Sequence, residues 1–220
     1  MLRISVTSKL DGIRSWSLQA LDTCPGSILE PATHSSPAVL VDACKGCYAT
    51  TGFYVMDTVK APRLENREDW ERDDWEDDMV RELQDDEHFR WFDSGDSYAL
   101  ALAKKIYNVM RRTPWCKHWI PTRMGKFPKF QEILALMEAL PNVKVRFSSD
   151  SVSGEYVKGK HGSTIVPTAD NVPEGVAVCR AYEHGGKCNG CRTCWDKTVP
   201  VVAYVAHGKN MAKVIRLRVA

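Results

Sequence analysis

Seven of the eight cysteines in this 220-residue chain fall into two clusters whose spacing could hold a metal. In the second cluster, two residues separate Cys188 from Cys191 and Cys191 from Cys194, and Cys179 lies a short way upstream. A C-x2-C-x2-C run lets a tight turn aim three thiolates at one centre, as in ferredoxin-type sites, whereas structural zinc prefers two separated pairs. With Cys179, the run predicts a complete set of four ligands. The alternative is reduced or disulfide-bonded structural cysteines.

The first cluster contains Cys24, Cys44 and Cys47. A lone C-x2-C such as Cys44 and Cys47 fits a metal site, a thiol redox pair or a structural role. Cys24, beside its own Pro-Gly turn, brings the set to three thiolates. Three ligands would leave one iron of a [4Fe-4S] cluster open for a substrate or cofactor. The two clusters could instead converge on one shared site, because sequence spacing does not reveal which thiolates meet in space.

Two further side chains bear on these ligand sets. His184 lies between Cys179 and Cys188 and is a reserve ligand, although the histidines show no H-x3-H or H-E-x2-H spacing typical of hydrolytic zinc. Cys116, which precedes a predicted strand, is expected to be a small buried hydrophobic residue.

Polar residues follow several predicted strands, at the positions where α/β folds bind ligands. Strands are predicted at 89–92, 117–121 and 143–147, and helices at 97–112 and 130–140. The pattern predicts an α/β fold, a partial or irregular parallel barrel built from βα units, with cysteine-rich loops. The candidate cofactor-binding residues are Asp93, Ser94, Gly95, Asp96, Arg123 and Asp150. The alternative role for these residues is as helix caps and turn formers.

The remaining segments complete a single domain over 1–220. The acidic stretch 66–86 is predicted to be one amphipathic helix, and residues 1–20 to be short extended pieces. After residue 152 the pattern predicts mainly short strands, at 163–166, 176–178, 199–205 and finally 214–219.

The composition constrains location and partners. The net charge of +2 requires neither a nucleic-acid nor a membrane partner, although the basic tail from Lys209 to Arg218 leaves contact with nucleic acid open. The start of the chain lacks a signal-like apolar region, and no run is long enough to span a membrane. A cytoplasmic protein is therefore expected, and a reducing compartment favours metal or catalysis over four disulfides.

Four blocks carry a resemblance to a known family. They are Cys44-Lys45-Gly46-Cys47-Tyr48-Ala49, Trp91-Phe92-Asp93-Ser94-Gly95-Asp96, Arg146-Phe147-Ser148-Ser149-Asp150-Ser151 and Cys188 to Trp195. With these blocks the chain resembles the phage "gene product 88" family, and a phage origin would place it in the host cytoplasm. More distantly, a cysteine cluster followed by βα units is similar to the radical S-adenosylmethionine enzymes.

The distant resemblance implies a mechanism. Those enzymes use three cysteines to hold a [4Fe-4S] cluster with one iron free for S-adenosylmethionine, and a Gly-Gly-Glu-like turn for the amino group of that cofactor. Ser94-Gly95-Asp96 stands where this turn is expected, but Cys24 lies much farther from Cys44 than the usual C-x3-C-x2-C spacing allows.

We therefore expect an open cluster that delivers one electron to S-adenosylmethionine. Radical chemistry would follow on a small-molecule or macromolecular substrate held by Asp93, Asp96, Arg123 and Asp150. The alternative is a zinc-stabilised module that contacts nucleic acid or a protein partner.

Overall fold

A computed structural model describes residues 2–219, which form an α/β fold around an eight-stranded sheet. The strands are β1 (Ile4–Val6), β2 (Arg14–Trp16), β3 (Ile28–Glu30), β4 (Val39–Leu40), β5 (His88–Trp91), β6 (Lys117–Thr122), β7 (Val143–Ser148), β8 (Gly162–Val166), β9 (Ala177–Cys179) and β10 (Val201–Val205). The main sheet has the order β1-β2-β5-β6-β7-β8-β10-β9, and β3 pairs with β4 separately. All neighbours from β2 to β9 run parallel, and β1 is antiparallel to β2.

Helices pack around this sheet, and three of them cover one of its faces. The helices are α1 (Asp42–Lys45), α2 (Asp57–Asp69), α3 (Trp75–Glu82), α4 (Leu100–Arg112), α5 (Pro128–Ala139) and α6 (Lys209–Val219). Buried residues of α3, α4 and α5 form the main apolar core with alternate residues of the central strands, such as Trp91 on β5 and Val145 on β7. The predicted α/β class and the three central strands are therefore confirmed.

The opposite face of the sheet is charged at its centre, because strand side chains alternate between the two faces. On β7, Val143 and Val145 join the apolar core, whereas Lys144 and Arg146 point to the other side and are covered by the segment 193–200. The chain therefore buries two cations beneath its second cysteine cluster.

Barrel closure, which the sequence pattern predicted, is not shown. The strands β1 and β9 lie at opposite ends of the sheet order, and no pairing joins them within residues 2–219.

The predicted helix over 66–86 is wrong in its extent. The segment divides between α2 and α3, with a break at residues 70–74. At the break, Arg72 forms ion pairs with the carboxylates of Asp69, Asp74 and Asp78, which fix the turn. The acid-rich pattern predicted a helical face but could not locate this turn.

The predicted final strand over 214–219 is also wrong, because these residues belong to α6. Met211, Val214 and Ile215 follow helical three-and-four spacing and pack against Ala43 and Ile165. The last residues alternate by chance, whereas the longer window shows the helical period that decides the structure.

Candidate functional site

Loops from separate strands place the first thiol group (Cys24, Cys44 and Cys47) over the carboxyl edge of the sheet. The backbone N–H of Asp96, after β5, donates to the carbonyl of Thr23, and the N–H of Ala43 donates to the carbonyl of Asp150, after β7. The hydroxyl of Tyr48 donates to the carbonyl of Asp93 at 2.5 Å. Each cysteine is therefore adjacent in sequence to a residue tied to a strand end.

The three thiols of this group lie within electrostatic range of one another. Burial raises the pKa of Cys24 to about 12, and the Asp96 carboxylate, Cys44 and Cys47 add to the rise. Burial likewise raises the pKa of Cys44, although the nearby Arg123 guanidinium opposes the rise. The loop of Cys24 therefore lies near the C-x2-C pair, and a common three-thiolate site stays a prediction.

Close packing with the strand ends fixes the loop that carries Cys24. A Cβ atom on Gly26 would lie 2.6 Å from Cβ of Arg123, so only glycine permits this approach. A Cβ on Gly46, between the two other cysteines, would lie 2.7 Å from Cα of Met211 on α6. Glycine is therefore needed at both positions because backbone or a Cβ atom lies so near.

The turn Ser94-Gly95-Asp96 packs against the loop after β2. Gly95 has φ of +80°, and a Cβ there would meet Cβ of Leu18 at 2.6 Å. The Asp96 carboxylate accepts hydrogen bonds from the Thr122 hydroxyl at 2.7 Å and from the backbone N–H groups of Arg123 and Ser97 at 2.8 and 2.7 Å. Burial raises the pKa of Asp96 in spite of these bonds. In the structure this carboxylate joins β5 to β6, and its predicted role toward a cofactor stays a prediction.

Asp93 is the centre of a buried charge network. Its carboxylate accepts from Arg90 at 2.8 Å and from the Tyr54 hydroxyl at 2.5 Å, and Arg63 lies 3.8 Å away. Desolvation by burial raises the pKa of Tyr48, which closes the network, to about 12. The network fixes the loop after Cys47 to the sheet, so Asp93 has a structural position beside the thiols.

Arg123 and Asp150 border an open cavity next to the first thiol group. The cavity has a volume of about 300 Å³ and lies at the carboxyl ends of β6 and β7, with Lys126 and Lys160 also in its wall. Lys126 contacts the Asp150 carboxylate at 2.5 Å, and Nε of Arg123 lies 3.4 Å from it. Of the six candidate cofactor-binding residues, Arg123 and Asp150 are therefore the two that line this cavity.

The second thiol group (Cys179, Cys188, Cys191 and Cys194) lies at the other end of the sheet. Cys179 ends β9, and the other three occupy a loop anchored by the N-terminal region. The Asp11 carboxylate accepts from the backbone N–H of Gly190 at 2.8 Å and from the Arg192 guanidinium at 3.0 Å, which holds its pKa below the usual value. Cys188 donates its N–H to the carbonyl of Lys9. The loop is thus held by residues at the start of the chain.

Arg146, fully buried on β7, fastens this loop to the sheet. Its guanidinium donates to the carbonyls of Thr193 at 2.7 Å and Cys194 at 2.9 Å. Longer bonds reach the carbonyls of Gly162, Asp196, Val199 and Pro200. The cation therefore binds several carbonyl groups at once, and two of them, those of Thr193 and Pro200, also accept from backbone N–H groups.

The four thiols of the second group also influence one another. Burial raises the pKa of Cys194 to about 11, and that of Cys188 is raised by burial and then by Cys179. The Cys194 sulfur lies 3.2 Å from the Tyr204 hydroxyl. The structure therefore presents two separate thiol groups, each with its own neighbours.

All eight cysteines are free thiols. Within residues 2–219, no three His, Cys, Asp or Glu side chains surround a common point as ligands of a single ion. The thiolates of a cubane bind different iron atoms, so they stand farther apart than the ligands of one ion. Cys116 is fully buried in the main core, as predicted, and His184 is exposed.

The sequence did not predict several charged and aromatic residues that support the site. Arg90 and Arg146 occupy inward positions of β5 and β7, where a charge interrupts an apolar strand. That interruption was the available signal, because a buried cation on a strand must find acceptors. Tyr48, directly after Cys47, and Lys126 carried no comparable signal.

Fold and site together define an α/β protein with two thiol groups, one of them at the carboxyl edge of a mostly parallel sheet. The chain belongs to the phage family described as Gene product 88, whose pattern it matches over residues 5–197. No curated protein and no solved structure matches it. Within residues 2–219 no helix has the length and apolar character that crossing a membrane requires.

Proposed function

We propose that this protein is an iron-sulfur protein whose first thiol group binds a [4Fe-4S] cluster with one iron open to a ligand. The second thiol group supplies a further metal centre with a full set of four thiolates. The observation that carries the proposal is that hydrogen bonds hold the neighbours of Cys24, Cys44 and Cys47 at the carboxyl edge of the sheet, in spite of the intervening chain. Thiolate ligands are what such clusters require.

The donor set fits a cluster in its chemistry. Cys24, Cys44 and Cys47 are free and largely buried, and Arg123 and Lys126 are the cations that oppose the raised pKa of Cys44. Cations beside thiolates offset the negative charge that a thiolate-bound cluster carries. With three protein ligands, the bound cluster would supply one-electron reduction to a molecule on its open iron.

The cavity beside Arg123 gives that molecule a binding place. We propose S-adenosylmethionine as the cofactor, because its amino-acid portion carries a carboxylate for Arg123 or Lys126 and an ammonium for Asp150. These three side chains lie in the cavity wall, and Cys44 is within electrostatic range of all three. Thus this chain would bind and orient the cofactor, and would exclude water through the packing of α1 against α6. The substrate remains a small molecule or a macromolecule of undefined class.

The experiment is anaerobic purification with quantification of iron and sulfide and electron paramagnetic resonance. Matched variants Cys44→Ser and Cys191→Ser remove one thiol from each group, and Cys116→Ser is the control outside both. We expect each site variant to lose the iron of its own group, and Cys116→Ser to keep both. Wild-type protein without iron or sulfide after anaerobic reconstitution would overturn the proposal.

A zinc-stabilised binding module is the second candidate, and one observation favours it. The second group offers Cys179 at the end of β9 and three thiols on a loop fixed by Asp11 and Arg146, and four thiolates are a common structural zinc set. In this case the metal contributes folding energy, and the basic face of α6 contacts nucleic acid or a protein partner. Colourless protein with stoichiometric zinc and no sulfide would support this candidate.

The free thiols also bear on location. Eight unpaired cysteines are typical of a reducing compartment, so we propose that the protein acts in the host cytoplasm. Disulfides found in protein isolated from infected cells would contradict this location.

A further inference from the structure

A continuous chain of aromatic and cationic side chains connects the two thiol groups, and all of its members except Tyr48 are buried. Tyr48 directly follows Cys47, and its hydroxyl lies 3.5 Å from the Arg90 guanidinium. Arg90 stacks over the ring of Trp119, with 4.6 Å from Cζ to the ring centroid. Trp119 contacts Trp195 edge to face, with 5.0 Å between centroids, and Trp195 directly follows Cys194.

Protein encloses the part of the chain from Arg90 to Trp195. Trp119 and Trp195 are 5% and 6% exposed, and Arg90 is 8% exposed. The Trp195 indole N–H donates to the carbonyl of Phe89, which fixes its ring, whereas the buried indole N–H of Trp119 has no hydrogen-bond partner. The Trp119 ring is therefore positioned by its contacts with Arg90 and Trp195.

Arg90 is fixed in the middle of the chain of side chains, between Tyr48 and Trp119. The Asp93 carboxylate, 2.8 Å away, keeps the guanidinium charged and in place between the two groups. On one side Arg90 contacts Tyr48, and on the other its charge acts on Cys194 and Tyr204. The planar group therefore fills the space between the aromatic rings, where a gap would weaken electronic coupling.

The two thiol groups differ in the exposure of individual cysteines. Cys191 of the second group is exposed, whereas Cys44 of the first is 8% exposed. An external carrier therefore reaches the second group more easily than the first.

We infer that Tyr48, Arg90, Trp119 and Trp195 form an electron path from a metal centre at the second thiol group to the cluster at the first. This inference rests on the proposed iron-sulfur function. A reduced one-electron donor loses one electron at the exposed second group, and the first centre gains that electron. The four side chains are a tunnelling bridge and are not themselves oxidised, so no covalent bond or proton changes position.

The test is rapid-freeze electron paramagnetic resonance of the reconstituted protein mixed with dithionite. Spectra of Cys44→Ser and Cys191→Ser assign the signal of each centre. For wild-type protein we expect the second centre to be reduced before the first. Trp119→Leu should lose the fast phase of first-centre reduction and keep that of the second centre, whereas Trp119→Phe should retain both.

Tyr48→Leu interrupts the path beside the first thiol group. Because Tyr48 is 44% exposed, this variant replaces Trp119→Leu in the test if Trp119→Leu does not fold. Cys191→Ser should also slow reduction of the first centre. Unchanged first-centre kinetics in Trp119→Leu or Tyr48→Leu would overturn the path, as would zinc at the second group. Absence of iron at both groups would instead refute the proposed function.

Discussion

The two thiol groups are held in place by different means. The first is assembled from separate loops, and its surroundings are a buried charge network around Asp93 and a cavity beside Arg123. The second occupies mainly one loop, which is fastened from below by Arg146 and from the side by Asp11. The first group therefore depends on how the strand ends meet, and the second on two anchoring side chains.

The largest expected effect tests the anchor of the second group. Arg146→Met should lower the free energy of unfolding by about 3 to 5 kcal/mol, because buried carbonyl groups lose their donor. Chemical denaturation measures the change, and faster alkylation of Cys194 reports local loosening. Lys144→Met is the matched control on the same strand face, since Lys144 donates only to the carbonyl of Lys197 and should change stability by less than about 1 kcal/mol. Equal losses in both variants would contradict the anchoring role.

A smaller effect is expected at the network of the first group. Asp93→Asn keeps the shape but leaves Arg90 and Arg63 without their buried counter-charge, which should cost about 2 to 3 kcal/mol. Asp150→Asn is the control, because its side chain is 42% exposed and its ion pairs are screened by water. Thermal unfolding of both variants gives the comparison. A larger loss in Asp150→Asn would show that the network around Asp93 does not support the first group.

Glycine substitutions separate close packing from backbone conformation. Gly46→Ala places a Cβ against the backbone of α6 and should cost about 1 to 3 kcal/mol through overpacking. Gly190 has φ of +80° with open space around it, so Gly190→Ala should cost only about 1 to 2 kcal/mol of backbone strain. Crystal structures or amide exchange should show a displaced α6 in Gly46→Ala alone. Displacement of α6 in Gly190→Ala would contradict the expectation that close packing matters at Gly46 and backbone conformation at Gly190.

The smallest expected change leaves stability unaltered and concerns thiol reactivity. In metal-free protein at pH 8, alkylation should reach exposed Cys191 first and Cys24 much later, because burial raises the pKa of Cys24 to about 12 and leaves little thiolate. The rate at Cys24 should rise with pH up to that pKa. Mass-spectrometric peptide mapping over time gives the order, and early labelling of Cys24 would contradict the buried position of the first group.

The sequence predicted the parts of the fold that local patterns control. Residues 143–147 alternate so regularly that β7 could be predicted, and the carboxyl-end positions of Asp93, Arg123 and Asp150 followed from the βα order. The last helix was missed because Val214 and Arg216 fit a strand as well as a helix, and only packing against Ala43 decides between them. Thus short windows at the chain end were ambiguous.

The two cysteine groups defined by spacing stay a prediction, and spacing carries no information on what surrounds them. The guanidinium of Arg146 binds carbonyls nearly fifty residues further along the chain, as at Cys194, and backbone acceptors leave no trace in the sequence. The separation of the two groups by Arg90 likewise depends on strand order. Long-range contacts of this kind decide the site, and they are not encoded by periodicity.

The hydrogen bond between Asp11 and Gly190 joins residues 179 positions apart. During synthesis from the N-terminus, segments up to residue 150 can emerge and bring the first thiol group together while the second is still being translated. The second group can close only when almost the whole polypeptide has left the ribosome, and closing so long a loop is slow. Assembly of the two thiol groups therefore has an inherent order, with the surface loop completed last.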